Sequence, residues 1–116
     1  MNKIKIERYN DLFVKEISMI LQTEVKDKNI KFVTITDVDI TNDLSFAKVY
    51  FTVFNKEYLD LTHDALKRAS SFIRGKLSER IEIRHTPELI FVYDESIEYG
   101  EKIEKIIESI NDEKEA

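Results

Sequence analysis

The sequence predicts a single α+β domain in which a three-stranded sheet carries its helices on one face. Apolar residues recur every three or four positions in the first quarter of the chain and again in its second half, which is typical of amphipathic helices. Between them lie two runs of β-branched and aromatic residues, and a short apolar run follows the one proline. We therefore expect the order α-β-β-α-β-α in one domain over residues 1–111, with a disordered acidic tail over residues 112–116.

The first half of the chain predicts a helix followed by a hairpin. The helix is expected over residues 4–28, because its apolar positions are three and four residues apart with charges between them. Residues 32–40 and 44–54 have the composition of strands. The turn formers at positions 41–43, Thr-Asn-Asp, leave so short a connection that the two strands must pair antiparallel.

Side chains of the second strand alternate between two faces. One set is apolar and is expected to meet the helices: Ala47, Val49, Phe51 and Val53. The other interleaves lysine with aromatic residues: Phe46, Lys48, Tyr50, Thr52 and Phe54. Such a face can stack on nucleic-acid bases, or it can form cross-strand pairs on a half-exposed sheet. The sequence leaves both interpretations open.

The second helix is expected to begin at Thr62, whose hydroxyl can cap it, and to bend. On a straight helix Lys76 and Arg80 would fall on the apolar stripe. A bend would turn these cations away from the core, and paired serines are one cause of bending. The predicted bend comprises Ala69, Ser70 and Ser71. The alternatives are a straight helix whose long basic side chains extend out to solvent, or a helix that ends before Arg80.

The third strand is predicted over residues 88–93, after Pro87. Its almost unbroken apolar run indicates a central strand rather than an edge strand. Asp94 or Ser96 is then expected to cap a last helix, whose apolar side continues to Ile110.

Charge is segregated along the chain, although the net charge is −5. Residues 63–87 carry six basic and three acidic side chains, whereas residues 88–116 carry three basic and ten acidic ones. A local basic patch can contact phosphates even in an acidic protein. The six candidates are Lys67, Arg68, Arg74, Lys76, Arg80 and Arg84. The alternative is a solvated helix face beside an acidic tail.

The sequence contains no recognisable catalytic or cofactor-binding motif. His63 and His85 fit no metal-ligand spacing, and there is no phosphate-binding glycine loop. The absence of cysteine suits a reducing cytoplasm, and no signal peptide or membrane-spanning stretch is visible. We therefore expect a cytoplasmic protein that is not an enzyme and has no metal, cofactor, small-molecule substrate or membrane attachment.

Several motifs in order resemble the bacterial ribosome-binding factor A family over about residues 4–110. They are the IERYNDLFVKEISMIL helix, Asp43-Leu44-Ser45 with Ala47-Lys48-Val49-Tyr50, Phe72-Ile73-Arg74, and Arg84 with Pro87-Glu88-Leu89 followed by Phe91, Tyr93 and Asp94. The resemblance implies a type II KH-like domain without the GxxG loop of ordinary KH domains. It also implies a helix-kink-helix with Ala-x-Gly at the bend, where this chain has Ala69, Ser70 and Ser71. Ser71 thus departs from the family glycine.

The function implied by the resemblance is that of a non-enzymatic assembly factor, monomeric when free. It would bind the 30S ribosomal subunit and assist late maturation of 16S rRNA, with the six basic side chains contacting phosphates. Reversing the charges of Arg74 and Arg80 is then expected to abolish binding and leave the thermal melt almost unchanged. The competing function is a protein-interaction module that docks through Phe46, Tyr50 and Phe54 or through the acidic last helix. A small enzyme would need a convergent polar pocket that the sequence does not display.

Overall fold

A computed structural model describes residues 2–30 and 32–96. The elements are α1 (Lys3–Thr23), β1 (Val33–Ile40), β2 (Phe46–Val53), α2 (Leu59–Arg80) and β3 (Glu88–Tyr93), with short 3-10 helices at Lys28–Ile30 and Lys56–Tyr58. The predicted α+β class, the hairpin and the three-stranded sheet are confirmed. The predicted last helix and the acidic tail lie outside the described residues.

Helix α1 begins where its sequence offers a cap and ends earlier than predicted. The Asn2 side chain accepts a hydrogen bond from the Lys5 N–H at 2.9 Å, which satisfies one of the free donors at the helix start. The helix ends at Thr23 rather than at residue 28. Beyond that point the Asp27 carboxylate accepts from the Asn29 N–H, and such a local bond favours a turn over further helix.

Strand β2 lies at the centre of the sheet, with β1 antiparallel on one side and β3 parallel on the other. The prediction that the third strand is central is therefore wrong. Leu89 and Phe91 are buried on one face of β3, whereas Ile90 is 41% exposed on the other. The apolar run reflects one buried and one half-covered face, a pattern that an edge strand can also show.

One face of the sheet carries the core. The buried strand residues belong to the same hydrophobic cluster as the buried residues of α1 and α2. On β2 these are Ala47, Val49 and Phe51, so the predicted direction of alternate side chains is confirmed. Because α1 packs on β1 and α2 packs on β3, the two helices together cover this face.

A bulge in β1 links the sheet to the end of β3. Ile35 pairs with Phe51 and Asp37 with Tyr50, so Thr36 is the extra residue. Its hydroxyl donates to the Asp94 carboxylate at 2.6 Å, and the Ser96 hydroxyl and backbone N–H also donate to that carboxylate. The Ser96 hydroxyl bond, followed by the Thr36 bond, lowers the pKa of the Asp94 carboxyl below its ordinary value of 3.8.

This lowered pKa predicts a pH dependence of stability. The native state holds the Asp94 proton less tightly than the unfolded chain, so the contribution is complete above about pH 3.8 and is lost as pH falls through the native pKa. Asp94→Asn should flatten the dependence of the unfolding free energy on pH in urea titrations between about pH 2 and 5. An unchanged slope in the variant would contradict these hydrogen bonds, and Asp39→Asn on the exposed side of β1 is the control.

The hairpin turn holds a leucine in a backbone conformation that leucine rarely adopts. Leu44 has φ of 64°, yet its side chain is completely buried. The turn is closed by a bond from the Leu44 N–H to the Thr41 carbonyl at 2.9 Å, and the Asp43 carboxylate accepts from the Ser45 N–H at 3.0 Å. The left-handed conformation of Leu44 therefore directs an apolar side chain into the core from within a tight turn.

Helix α2 starts one turn earlier than predicted. It begins at Leu59, and Thr62 lies inside it, buried, rather than capping it. The Thr62 hydroxyl donates to the Asn29 carbonyl at 2.8 Å, so it ties α2 to the 3-10 helix before β1. The N-cap position of α2 is Tyr58, whose side chain makes no capping bond. The Asn55 side chain caps the preceding 3-10 helix instead, by accepting from the Glu57 N–H.

Candidate nucleic-acid interface

Arg74 anchors the segment that leads into β3. Arg74 lies on α2 and is half-buried. Its Nε and Nη2 both donate to the Thr86 carbonyl oxygen, at 3.1 and 2.8 Å. Thr86 precedes buried Pro87, which has no N–H of its own to fix this segment. Arg74 thus holds the entry to β3 against the helix while its Nη1 makes no hydrogen bond with the described residues.

A shallow groove of about 360 Å³ runs between α2 and this segment. Six of the described residues line it: Ser71, Arg74, Gly75, Ser78, His85 and Thr86. The three small residues lie on one side of the helix, because they are spaced by four and three positions. A Cβ added to Gly75 would meet nothing within 4 Å, so packing among the described residues does not require this glycine. The helix backbone is accessible from outside along the groove.

Arg80 pairs with helix α1. Its Nε lies 2.7 Å from Oε2 of Glu16, and its side chain is 28% exposed. The bond to Glu16 raises the pKa of the Arg80 guanidinium above its ordinary value. The sequence places Arg80 on the apolar stripe of a straight helix. In the structure its long side chain reaches the Glu16 carboxylate on α1, so the guanidinium charge is paired there rather than buried in the core.

The other cations of α2 make weaker contacts. Arg68 Nη2 lies 3.8 Å from Asp27 Oδ2, and the Arg68 side chain is mostly exposed. Lys76 Nζ lies 3.9 Å from Glu79 Oε2 and 5.7 Å from the centre of the Phe72 ring. Ion pairs of this kind contribute little to stability, about 0–1 kcal/mol, so both cations remain available to a ligand.

Lys67 and Arg84 are exposed and form no ion pair with any residue that the structure describes. Lys67 lies on the solvent side of α2, and Arg84 lies in the segment that Arg74 anchors. These two cations have no described structural role, which makes them the most direct probes of ligand binding.

The predicted bend lies within an unbroken helix. Helix α2 runs continuously from Leu59 to Arg80 across Ala69, Ser70 and Ser71. Within this stretch the Ser70 hydroxyl donates to the Lys67 carbonyl at 2.9 Å, a contact that often accompanies a bend. The bend at residues 69–71 stays a prediction.

The aromatic side chains of the outer sheet face differ in their exposure to solvent. Phe46 and Phe54 lie at opposite ends of β2, with the half-buried Tyr50 between them. Phe54 is 89% exposed and contacts the Phe32 ring, with the ring centres 6.2 Å apart. Only one of the three predicted contact residues is therefore almost fully accessible.

His63 and His85 differ in their surroundings. His63 Nε2 lies 2.9 Å from the Phe91 carbonyl oxygen, and its ring packs on Phe51. His85 is exposed at the groove. Among residues 2–30 and 32–96 there is no group of three potential metal ligands, and no helix there is both long and apolar enough to cross a membrane.

Comparison with known proteins shows which protein family the chain resembles. The family model described as ribosome-binding factor A matches residues 5–107. The chain belongs to this family. Ribosome-binding factor A proteins from Staphylococcus carnosus (strain TM300) and Staphylococcus epidermidis are each 49% identical to it over 112 residues, which cover 96% of this chain and 97% of each relative.

Solved structures of ribosome-binding factor A share the fold. The crystal structure from Thermus thermophilus superposes with a TM-score of 0.70 at 23% identity, covering 76% of this chain and 94% of that one. A homology model of the Thermus thermophilus protein, fitted into a cryo-EM map of its complex with the 30S subunit, gives a TM-score of 0.63 at 23% identity, covering 74% and 91%. At this level of identity the likeness concerns the fold.

The six predicted cations of this member of the ribosome-binding factor A family thus differ in their positions and contacts. Arg74 borders the groove and Arg84 lies two residues before Thr86 in the anchored segment, whereas Arg80 is directed to α1. Sequence reasoning missed the anchoring role of Arg74 and the Arg80–Glu16 pair. The partners are 12 and 64 residues away, and no local pattern marks either contact.

Proposed function

We propose that this protein binds the 30S ribosomal subunit through 16S rRNA and assists late maturation of that rRNA without catalysing a reaction. Membership of the ribosome-binding factor A family supports this proposal. So does the 30S complex of the structurally similar Thermus thermophilus protein. The protein would act in the cytoplasm and would be a monomer when free.

The observation that carries the proposal is the groove between α2 and the segment before β3. Gly75 costs a helix interior about 1 kcal/mol relative to alanine, yet no described side chain occupies the space that it leaves. A sugar–phosphate backbone could approach the helix there. The remaining N–H donors of Arg74 and the hydroxyl of Ser71 are groups that bind phosphate and ribose oxygens.

The architecture supports a type II KH-like assignment. An α-β-β-α-β order, with the last strand parallel to the central one, agrees with the fold that the family resemblance implies. In this assignment residues 69–71 correspond to the bend of the helix-kink-helix. The groove begins at Ser71, so the bend and the groove would form one binding element.

The six cations would contribute to RNA binding in two different ways. Lys67, Arg68, Lys76 and Arg84 would neutralise phosphates through exposed charges. Arg74 and Arg80 would position the segment before β3 and the end of α2, and would add their remaining donors to the contact. Binding governed by phosphate neutralisation weakens steeply with salt, in proportion to the number of phosphates contacted.

Co-sedimentation with free 30S subunits and with assembled 70S ribosomes tests the proposal. We expect the protein to pellet with free 30S subunits in low salt, less with 70S ribosomes, and to be released as salt rises. Recovery of the protein in the supernatant with both particles in low salt would overturn the proposal.

A matched pair of charge-reversal variants tests the surface. Lys67→Glu combined with Arg84→Glu should reduce 30S association by roughly 100-fold or more, because two phosphate contacts become two repulsions. The same change in net charge at Lys3 and Lys15, which lie on the exposed side of α1, is the control and should retain binding. Both double variants should melt near the parent temperature, because all four side chains are exposed. Equal loss in the two variants would mean that net charge alone governs binding.

A further inference from the structure

A second groove lies at the other end of α2, where exposed aromatic residues collect. It encloses about 550 Å³ between the end of the hairpin and the start of the helix. Its lining residues are Lys28, Asn29, Phe32, Val53, Phe54, Asn55, Tyr58, Leu61 and Thr62. Phe54 is 89%, Phe32 68% and Tyr58 55% exposed. The core does not need these rings, because their surfaces face solvent.

We propose that this groove binds an unpaired base of single-stranded RNA. The proposal rests on the proposed function, since it adds a base-binding site to a protein that contacts phosphates elsewhere. Successive aromatic rings offer flat apolar faces on which a base of any sequence can stack. The Phe32 and Phe54 rings are tilted by 46°, so they form an open angle rather than a closed pair.

Charge around the groove favours a nucleotide over an apolar peptide. Among the described residues, the lining includes one cation, Lys28, and no carboxylate. Lys28 forms no ion pair with the described residues, and the preceding Asp27 is already engaged by the Asn29 N–H and lies 3.8 Å from Arg68. A phosphate next to a stacked base would therefore meet an unopposed ammonium group.

Polar groups at the rim suit the edge of a base. The Asn55 side-chain oxygen accepts from the Glu57 N–H, which leaves its amide N–H groups without a partner among the described residues. The Asn29 side chain also lines the groove. The amide N–H groups of Asn55 can donate to a base, and the Asn29 side-chain amide carries both a donor and an acceptor for the hydrogen-bonding edge of a nucleobase.

The position along α2 allows one RNA strand to reach both grooves. Thr62 lines the aromatic groove and Arg74 the basic one. About twelve helical residues separate them, which is about 18 Å along the helix axis. A few nucleotides of extended single strand span such a distance, so base stacking at one end and phosphate contacts at the other are compatible.

The test uses the full chain and a fluorescein-labelled octauridylate as the probe. Phe54→Ala should weaken binding about tenfold, within the range for loss of one base–aromatic stack, and should leave the salt dependence unchanged. Phe46→Ala, at the far end of β2 and outside the groove, is the matched control and should keep the parent affinity. Photo-crosslinking of the 5-iodouridine form of the probe should label Phe54 or Tyr58.

The outcomes separate this proposal from the function proposed above. Unchanged affinity of Phe54→Ala together with crosslinks only around Arg84 would overturn the base-binding site, while Lys67→Glu combined with Arg84→Glu would still report on 30S association. A change in sedimentation coefficient caused by Phe54→Ala, with RNA affinity unaltered, would assign the groove to contact between two copies and would also overturn it. Because Phe54 is so exposed, the variant should fold, and Tyr58→Ala provides a second test.

Discussion

Replacing Leu44 by alanine should destabilise the protein by about 3 kcal/mol, and replacing it by glycine should be no worse. The buried side chain is lost in both variants, and leucine-to-alanine changes in cores cost about 2–5 kcal/mol. Alanine keeps the unfavourable left-handed conformation at φ of 64°, which costs about 1–2 kcal/mol, whereas glycine adopts it freely. Because glycine avoids this conformational cost, its larger backbone entropy in the unfolded chain is offset.

Urea unfolding of both variants, compared with the same pair at Leu66, measures this effect. Leu66 is equally buried but lies within helix α2, where glycine should be less stable than alanine by about 1 kcal/mol. The order of the two substitutions should therefore differ between position 44 and position 66. If glycine were the worse residue at both positions, the turn would not hold Leu44 in the left-handed conformation in solution.

Replacing Arg74 by alanine should lower the unfolding free energy by about 1.5–3 kcal/mol, the usual cost of losing hydrogen bonds from a charged donor. Two guanidinium nitrogens hold the Thr86 carbonyl, and without them the entry to β3 loses its link to α2. Arg74→Lys keeps the charge but has no forked pair of donors, so we expect it to be destabilised as well. Thermal and urea unfolding measure both variants.

This result would revise the expectation that reversing the charge of Arg74 leaves the melt unchanged. Lys67→Ala is the control, because an exposed lysine without described contacts should change stability by less than about 0.5 kcal/mol. If Arg74→Ala melts like the parent yet loses 30S binding, Arg74 acts on RNA alone and the anchoring bond contributes nothing. Loss of stability in both Arg74 variants would support the anchoring role.

The local sequence pattern was sufficient to predict those features of the fold that depend on which way neighbouring side chains point. The alternation along β2 identified its buried face, and the turn residues between the strands identified the hairpin. The position of β3 could not be obtained in this way. Its pairing with β2 depends on where α2 returns the chain, and an apolar run is compatible with a centre or an edge.

The sequence predicts which side chains could contact a ligand, but it does not predict what each of them contacts within the fold. The clustering of basic side chains is visible in the sequence, but of the six predicted cations Arg74 alone lines the groove. The contacts of those side chains are not visible, since Arg80 finds its partner 64 residues earlier. Thr62 shows the same limit, because a hydroxyl that suits a cap serves equally well as a buried donor to the Asn29 carbonyl.

The parallel pairing of β2 with β3 has a consequence for synthesis of the chain. The hairpin can close as soon as residue 53 has left the ribosome, but one edge of β2 must then wait until residues 88–93 emerge. During that interval the central strand presents open backbone donors and acceptors beside apolar side chains, which is the condition for mispairing with another chain. Helix α2 is made in the meantime, but it packs on β3 and on α1 and does not pair with the open edge of β2. The order of elements thus leaves one edge of the central strand unpaired until the last strand has been made.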